Sequence, residues 1–441
     1  MRNESAMRKT GWRGRGLAPV VCAMLLAGGA SAVTPALPNI PAKEFTVASY
    51  GTGEAMAADL APAFQKAIDA ASAAGGGTVV VPKGEYLCGP VELRSRIRVR
   101  LEDGVVIKLL PLGRFPIERH RTPFLGGKRL EDVALVGRGR IDGQGAPWWP
   151  HYKEKDFPRP VLFGVSYSKR ILVEDVAFVN SPMFHIACTG VEDVTIRGVT
   201  VEAPPSHAKK AGDPVSHNTD ACDVSGRRIL IERCRFSTGD DNYTTSGYTE
   251  DVLIRHCRFG TGHGLSMGSY QRGFIRNFTV EDCSFDGTDT GIRIKCDRDR
   301  GGDTRGIVYR NIEMRNVGIP ILIYGAYNAP EPYRKLWRAD AAALAAYPFA
   351  PATEKTPRYC DIMIENLTAV ATDEKSRAGL VWGLPEAHVK GLKLKNVKIS
   401  SNRPLAFVNV DDPRLENVEI KNEKGEILPL ETAFSQPEAP K

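Results

Sequence analysis

Ile229-Leu-Ile-Glu-Arg-Cys-Arg-Phe236 recurs, with nearly the same order of residue types, as Val252-Leu-Ile-Arg-His-Cys-Arg-Phe259 and Phe278-Thr-Val-Glu-Asp-Cys-Ser-Phe285. Earlier copies read Ile171-Leu-Val-Glu-Asp-Val-Ala-Phe178 and Val194-Thr-Ile-Arg-Gly-Val-Thr-Val201. The sixth position falls at Val176, Val199, Cys234, Cys257 and Cys283, then at Ile312, Leu367, Val397 and Val418, with gaps mostly between 21 and 30 residues. Each copy alternates apolar residues and is bounded by turn residues, the pattern of short strands, and none carries a helical run long enough for a βαβ crossover. Short strands repeating at this period bury their apolar positions by coiling into a right-handed parallel β-helix, each turn stacked on the last. Equivalent residues then stack, so Cys234, Cys257 and Cys283 are expected as a column of small buried hydrophobes rather than a metal site, since no tetrahedral His/Cys spacing accompanies them. Pairing among Cys222, Cys296 and Cys360 stays open at this point.

Such a coil needs its ends covered. Residues 60–74 place Leu60, Phe64, Ala67, Ile68 and Ala71 on one helical face, and Gly75-Gly-Gly77 stops that helix before a strand at 78–81. This is the expected N-terminal cap of a single all-β, right-handed parallel β-helix domain spanning 45–420. Residues 329–356 break the period with prolines and a short helical stretch near 336–346, which reads as a loop insertion, the kind of segment that carries function more often than core. Residues 421–441 read as a polar tail.

At the other end, Arg8, Lys9, Arg13 and Arg15 precede an apolar run at 17–26, followed by Ala30-Ser-Ala32. This is a signal-peptide pattern, so residues 1–32 are expected to be removed on export and the mature chain to be secreted or periplasmic, without stable membrane insertion. Cys22 sits inside the apolar run, not at a lipid-attachment motif. Removing residues 1–32 takes away five basic residues and one acidic one, which lowers the formal charge from +7 to +3. Bulk charge therefore gives no support to nucleic-acid binding, and affinity for an acidic polymer must come from local placement of Arg and Lys. The chain is expected to act as a monomer.

Between the strand repeats, Asn218-Thr-Asp-Ala-Cys-Asp-Val-Ser225, Gly239-Asp-Asp-Asn-Tyr-Thr-Thr-Ser246 and Gly262-His-Gly-Leu-Ser-Met-Gly-Ser269 align with one another at about one rung each. Rungs lie roughly 4.8 Å apart, so Asp220 and Asp241 should stack with Asp240 and His263 beside them. The next rung carries Arg293 and Lys295 on one face at period two. Three carboxylates, an imidazole and two cations on one patch are poorly suited to a purely structural role. They suit hydrolysis of a glycosidic bond, where one carboxyl protonates the leaving oxygen and another activates water, while Arg293 and Lys295 hold substrate carboxylates. No metal or cofactor is needed for this chemistry.

These motifs resemble those of the pectin-degrading glycoside hydrolases of family 28, the polygalacturonases: Asn218-Thr-Asp220, Gly239-Asp-Asp241, Gly262-His-Gly264, Arg293-Ile-Lys295 and downstream Tyr327, in the family's order. The resemblance extends upstream through Gly137-Arg-Gly-Arg-Ile-Asp-Gly-Gln-Gly145 and Asn180-Ser-Pro182 and covers most of residues 45–410. It implies cleavage of α-1,4-galacturonosyl linkages with inversion. Asp240 would be the general acid, Asp220 and Asp241 would position and deprotonate water, and His263 would support the acid's protonation. Arg293, Lys295 and Tyr327 would bind galacturonate, with Asn218 as a positioning residue. The run Asn242-Tyr-Thr-Thr departs from the family, which commonly has Cys after Gly-Asp-Asp and a basic side chain on that strand. Rhamnogalacturonan or xylogalacturonan are alternative backbones. A Ca²⁺-dependent β-helix lyase would instead make an unsaturated product, and a carbohydrate-binding β-helix would make none.

Overall fold

The repeated octets pair with one another in strict register. Val173, Ile196, Ile231, Ile254, Val280, Tyr309 and Ile364 are successive partners, and every pairing between strands is parallel along this column. The computed structural model describes residues 33–435 apart from 118, 209, 270, 336–338 and 372–375, so the expected leader lies outside the described residues. What it describes is a right-handed parallel β-helix, in agreement with the expectation from the repeat.

The fifth residue of each octet explains why the chain bends where it does. Asp175, Gly198, Arg233, His256, Asp282, Asn311, Asn366, Asn396 and Asn417 all have φ between 52° and 63°. One left-handed residue per rung turns the strand through a corner, and Asn and Asp accept that conformation more readily than most side chains. At the C-terminal end the corner asparagines form a ladder: Asn366 donates to Asn311 at 2.9 Å, Asn396 to Asn366 at 3.0 Å and Asn417 to Asn396 at 2.9 Å.

Immediately after the corner the side chain turns inward. Cys234, Cys257 and Cys283 are buried in one continuous core, each thiol directed at the carbonyl two residues earlier at 3.2–3.3 Å. Among the described residues no disulfide is formed, so Cys222, Cys296 and Cys360 are not paired through sulfur.

The helix Ala61–Ala73 lays Phe64, Ala67, Ile68 and Ala71 on the N-terminal end of this core and stops at Gly75, φ 87°. In the insertion, the helix is confined to Ala341–Ala345, capped by Asp340 accepting from the Ala343 amide at 2.8 Å; residues 336–338 lie outside the described residues. The segment read as a tail does more than trail. Glu431–Ala433 adds a last parallel strand to Leu405–Val408, because Ser435 and Asn409 tie the backbones together through Asn409 Oδ1 and Nδ2.

One face of the helix matters for function. Its outward row runs, partner by partner, through Gly126, Gly164, Ala187, Asp223, Thr244, Ser266, Arg293, Leu322, Leu380 and Ala406. Among the described residues no helix is long and apolar enough to cross a membrane.

Candidate active site

Two adjacent turns carry the acidic residues onto this face. Asp220 ends two residues before the strand Cys222–Glu232, and Asp241 two before Tyr243–Thr245; the Ala221 amide donates to Asp241 O at 3.0 Å, which fixes the two rungs side by side. Asn242, fully buried, stitches the next turn on. Its Nδ2 donates to Phe236 O at 3.2 Å and Thr261 O at 2.9 Å, and its Oδ1 accepts from the Gly264 amide at 3.0 Å. The departure from the family pattern at Asn242 thus has a local structural role. Gly264 sits at φ 81°, where a Cβ would meet Thr290 O at 2.0 Å, so the Gly-His-Gly turn needs glycine here.

Asp241 is the centre of the cluster. Its Oδ1 accepts from Ser266 at 2.7 Å and Arg293 Nη1 at 3.0 Å, and its Oδ2 from Lys295 Nζ at 2.9 Å. Burial alone would raise its pKa, but Lys295 and Arg293 outweigh burial and hold it below the ordinary carboxylate value. Asp240 accepts from His263 Nδ1 at 3.0 Å and, on Oδ2, from both nitrogens of Asn218 at 3.1 and 3.2 Å. Burial again works upward and is overcome by the His263 hydrogen bond and the neighbouring cations, so Asp240 is held well below the usual range.

His263 bridges Asp240 and, through Nε2, Asp289 Oδ2 at 3.3 Å. Burial disfavours its charge, yet the hydrogen bond to Asp240 and the charges of Asp240 and Asp241 prevail, raising its pKa above the ordinary histidine value. A ring that meets a carboxylate at each nitrogen is best satisfied as imidazolium. Asp220 is the opposite case: burial, reinforced by the charges of Asp240 and Asp241, pushes its carboxyl well up. Burial and charge thus favour a proton on Asp220 and His263 over one on Asp240 or Asp241, and Asp240 stands one hydrogen bond from the His263 ring. Asp240, Asp241 and His263 also place potential metal-ligand atoms within 4.8 Å of one another, but both oxygens of Asp241 already face the protein's own cations.

Every residue singled out from the sequence converges here. Asn218, with φ 58°, holds Asp240; Tyr327 packs its ring against Lys295, 5.3 Å from Nζ to the ring centroid. Arg293 and Lys295, expected to face substrate, each donate to Asp241. Sequence reasoning missed several neighbours. Arg159 lies behind Asn218, Ser266 and Asp289 behind Asp241 and His263, and His185 behind Asp220. His185 Nε2 accepts from the Ser181 amide at 3.2 Å, so its proton is on Nδ1, which donates to Asp220 O at 3.1 Å; burial lowers its pKa to about 4 and keeps it neutral. Ser266 could have been found by counting rungs, since it occupies the row position next to Thr244 and Arg293. Arg159 and His185 reach the site through loops of other rungs, which no local spacing reveals.

A parallel β-helix carrying paired carboxylates, an imidazole and an Arg/Lys pair on one outward face defines a class of carbohydrate-active protein. Comparison with known proteins narrows the class. The family model for glycosyl hydrolases family 28 matches residues 72–337, more than half of the chain, and the chain belongs to that family. An endo-polygalacturonase of Pectobacterium parmentieri is 28% identical over 277 residues, covering 56% of this chain and 66% of its own length. An exopolygalacturonase of Platanus acerifolia is 30% identical over 299 residues, covering 64% and 75%. The chain thus spans just under two thirds of the length of the Pectobacterium relative. Among solved structures, the hyperthermoactive exopolygalacturonase of Thermotoga maritima superposes with a TM-score of 0.66 at 21% identity, covering 90% of this chain and 94% of that one. The polygalacturonase of Erwinia carotovora ssp. carotovora gives 0.62 at 24% identity, covering 86% and 98%. These two share the fold.

Proposed function

We propose that this chain is an exported hydrolase of α-1,4-galacturonosyl linkages in polygalacturonate and its oligomers, acting with inversion at the anomeric carbon. The observation that carries the reading is the geometry of the carboxylates: Asp241 held between Arg293 and Lys295 at 3.0 and 2.9 Å, and beside it Asp240 joined to His263 by a 3.0 Å hydrogen bond. Membership of the family and the polygalacturonase relatives support the substrate class.

The chemistry follows from those positions. A uronate carboxylate entering beside Arg293 and Lys295 adds negative charge next to Asp240 and Asp241. That draws the cations towards substrate and raises the proton affinity of Asp240. The proton passes from His263 to Asp240, which gives it to the glycosidic oxygen as the C1–O bond breaks. Water attacks C1 from the opposite face; Asp241 accepts its proton, and Asp220, kept neutral by burial, orients it. The hydroxyl ends on C1 and the proton from Asp240 on the leaving sugar; Asp241 then releases the proton it took from water to solvent, and His263 is reprotonated from solvent.

The test is incubation of the full chain and Asp240→Asn with polygalacturonate and short oligogalacturonides, following reducing ends, ultraviolet absorbance and fresh-product anomers by NMR. Saturated products of inverted configuration, absent in the variant, are expected. Unsaturated products would replace hydrolysis with elimination, and turnover of only rhamnogalacturonan or xylogalacturonan would move the substrate to those backbones.

A further inference from the structure

The catalytic rungs divide their face into two unlike halves. Towards the N-terminal end the outward row continues from Asp223 through Ala187, Gly164, Gly126 and Glu92, four rungs or ~19 Å at the usual strand spacing. For three of these rungs nothing larger than a methyl stands on the floor, and at Gly126 a Cβ would lie 1.9 Å from Gly164 O. Over this floor lies a cavity of about 830 Å³ whose wall carries Arg119, Arg121 and Lys128. None of the three is in a salt bridge among the described residues, and the Arg121 guanidinium carbon lies 4.6 Å from the centroid of the Phe184 ring. Of the two carboxylates that line the cavity, Glu92 is matched by Arg94 at 2.7 Å, and Asp223, half-buried at the catalytic end of the row, feels the charge of Arg121. The cavity therefore carries three cations against the one carboxylate, Asp223, that no salt bridge among the described residues takes up, over a floor of small residues, the combination that receives a polyanion of sugar rings.

Towards the C-terminal end the same face closes at once. The row passes from Arg293 to Leu322, Leu380 and Ala406, and its neighbour from Lys295 to Tyr324, Trp382 and Val408. These positions point outward yet are buried, because Ala341, Leu344, Tyr333 and Tyr347 of the insertion fold over them. Tyr347 meets Trp382 edge to face at 5.2 Å. Arg298, three residues past Lys295, clamps the cover: its Nε meets Glu386 at 2.6 Å, its Nη2 donates to Pro348 O at 2.6 Å, and its guanidinium lies over Tyr347 at 4.7 Å.

We infer that the cleft is blind at its C-terminal end and anion-binding at the other, so that the chain shortens a polyuronate from one terminus. The terminal one or two sugars lodge between the catalytic carboxylates and the cover over Tyr324 and Trp382. The rest of the polymer runs over the Gly/Ala floor, with its carboxylates towards Arg119, Arg121 and Lys128. This inference rests on the hydrolase reading above.

The experiment uses the full chain, polygalacturonate, and oligogalacturonides of three to eight units labelled at the reducing end. Reducing ends should accumulate while viscosity hardly falls, with one short product of constant size from the first turnovers; the label identifies which terminus enters the blind end. The double variant Arg119→Ala, Lys128→Ala should lose about tenfold in kcat/KM on the longest oligomers and nothing on the shortest. Arg298→Ala with Tyr347→Ala, which unclamps the cover, should yield longer and mixed products. An early fall in viscosity with mixed products from the unaltered chain overturns the inference, as does an equal loss at every length in the cation variant. If the unaltered chain releases no reducing ends at all, the hydrolase reading fails instead. The cleft is then judged by binding to Asp240→Asn: affinity that rises with oligomer length and drops in the Arg119→Ala, Lys128→Ala background supports the inference, and length-independent affinity refutes it.

Discussion

Arg159 donates through Nη2 to Oδ1 of Asn218 at 2.8 Å, and Asn218 passes both of its own N–H groups to Oδ2 of Asp240. Arg159 is buried, its other hydrogen bonds go to the Pro182 and His217 carbonyls, and its nearest carboxylate charges are Asp220 and Asp240. A buried cation that meets no carboxylate directly is placed to orient Asn218 and to bias the cluster towards its ionised form. Arg159→Lys cannot reproduce the planar fork. It should lower kcat roughly 10- to 100-fold with KM little changed, and adding Asn218→Ala should cost far less than it does alone. Steady-state kinetics on the four proteins of the cycle give the coupling; independent, additive losses would remove Arg159 from the positioning chain.

Activity should follow a bell in pH whose limbs belong to different partners. On the alkaline side His263 loses the proton that supplies Asp240, and because its pKa is raised this limb should fall above the ordinary histidine value of about 6.5. On the acid side the base Asp241 becomes protonated, and since its pKa is depressed that limb lies below about 3.9. Weakening the clamp with Lys295→Met should move the acid limb upward. A profile measured as kcat/KM across pH 3 to 9 that leaves the acid limb in place in Lys295→Met would show that Asp241 does not set it.

Stability should depend on pH with a sign set by Asp220. Its folded pKa is raised, so between about 3.9 and that higher value the folded state holds a proton that the unfolded chain has released, and stability falls as pH rises through the window. His263 acts in the same sense: its contribution is complete below the unfolded value near 6.5 and is lost as pH rises through its folded value. Asp220→Asn removes the buried carboxyl's share. It should abolish turnover, raise stability at pH 7 to 8 by about 1–2 kcal/mol, and flatten the decline of Tm between pH 5 and 8. Calorimetric melting of both proteins across that range makes the comparison, and a variant less stable than its parent at pH 8 would contradict it.

How much of this was legible in the sequence depends on how each residue reaches its place. The octets declare the coil because a parallel β-helix puts sequence-equivalent residues in contact, so Cys234, Cys257 and Cys283 name their own neighbours. Asp220, Asp240, Asp241 and His263 are legible for the same reason, being one rung apart. Arg159 and His185 are not: they sit on loops whose lengths vary, and only the fold shows that His185 ends at Asp220 and Arg159 at Asn218. The proton pattern was also out of reach. The resemblance assigns Asp240 as the acid, but which of three carboxylates holds a proton at rest depends on burial and on the bonds made by His263, Arg293 and Lys295.

Asn242 offers a test of the one strand that departs from the family pattern. Its side chain makes three buried hydrogen bonds that join the Gly-Asp-Asp and Gly-His-Gly turns. Asn242→Ala leaves the Gly264 amide without a partner and removes one of two donors from the Phe236 and Thr261 carbonyls, which still accept from the Gly260 and Thr238 amides, so it should cost about 1–3 kcal/mol of stability. It should also lower kcat, because His263 loses its fixed distance to Asp240. Chemical denaturation and single-turnover kinetics separate the two effects; a stable variant with full kcat would mean that the turns hold without Asn242.

The corner asparagines allow the last prediction to separate conformation from hydrogen bonding. Asn366 has φ 53°, accepts from Asn396 and donates to Asn311. Asn366→Gly keeps the left-handed corner without strain but breaks the ladder on both sides, so its cost should be modest, about 1 kcal/mol for two exposed hydrogen bonds plus the entropy that glycine adds to the unfolded chain. Asn366→Val loses the same bonds and also forces a β-branched side chain into the left-handed region, so it should cost at least 1–2 kcal/mol more. Urea unfolding of the pair reads the difference directly. If the two variants are equally destabilised, the ladder and not the backbone corner is what Asn366 supplies, and the recurrence of asparagine at 311, 366, 396 and 417 would then reflect stacking alone.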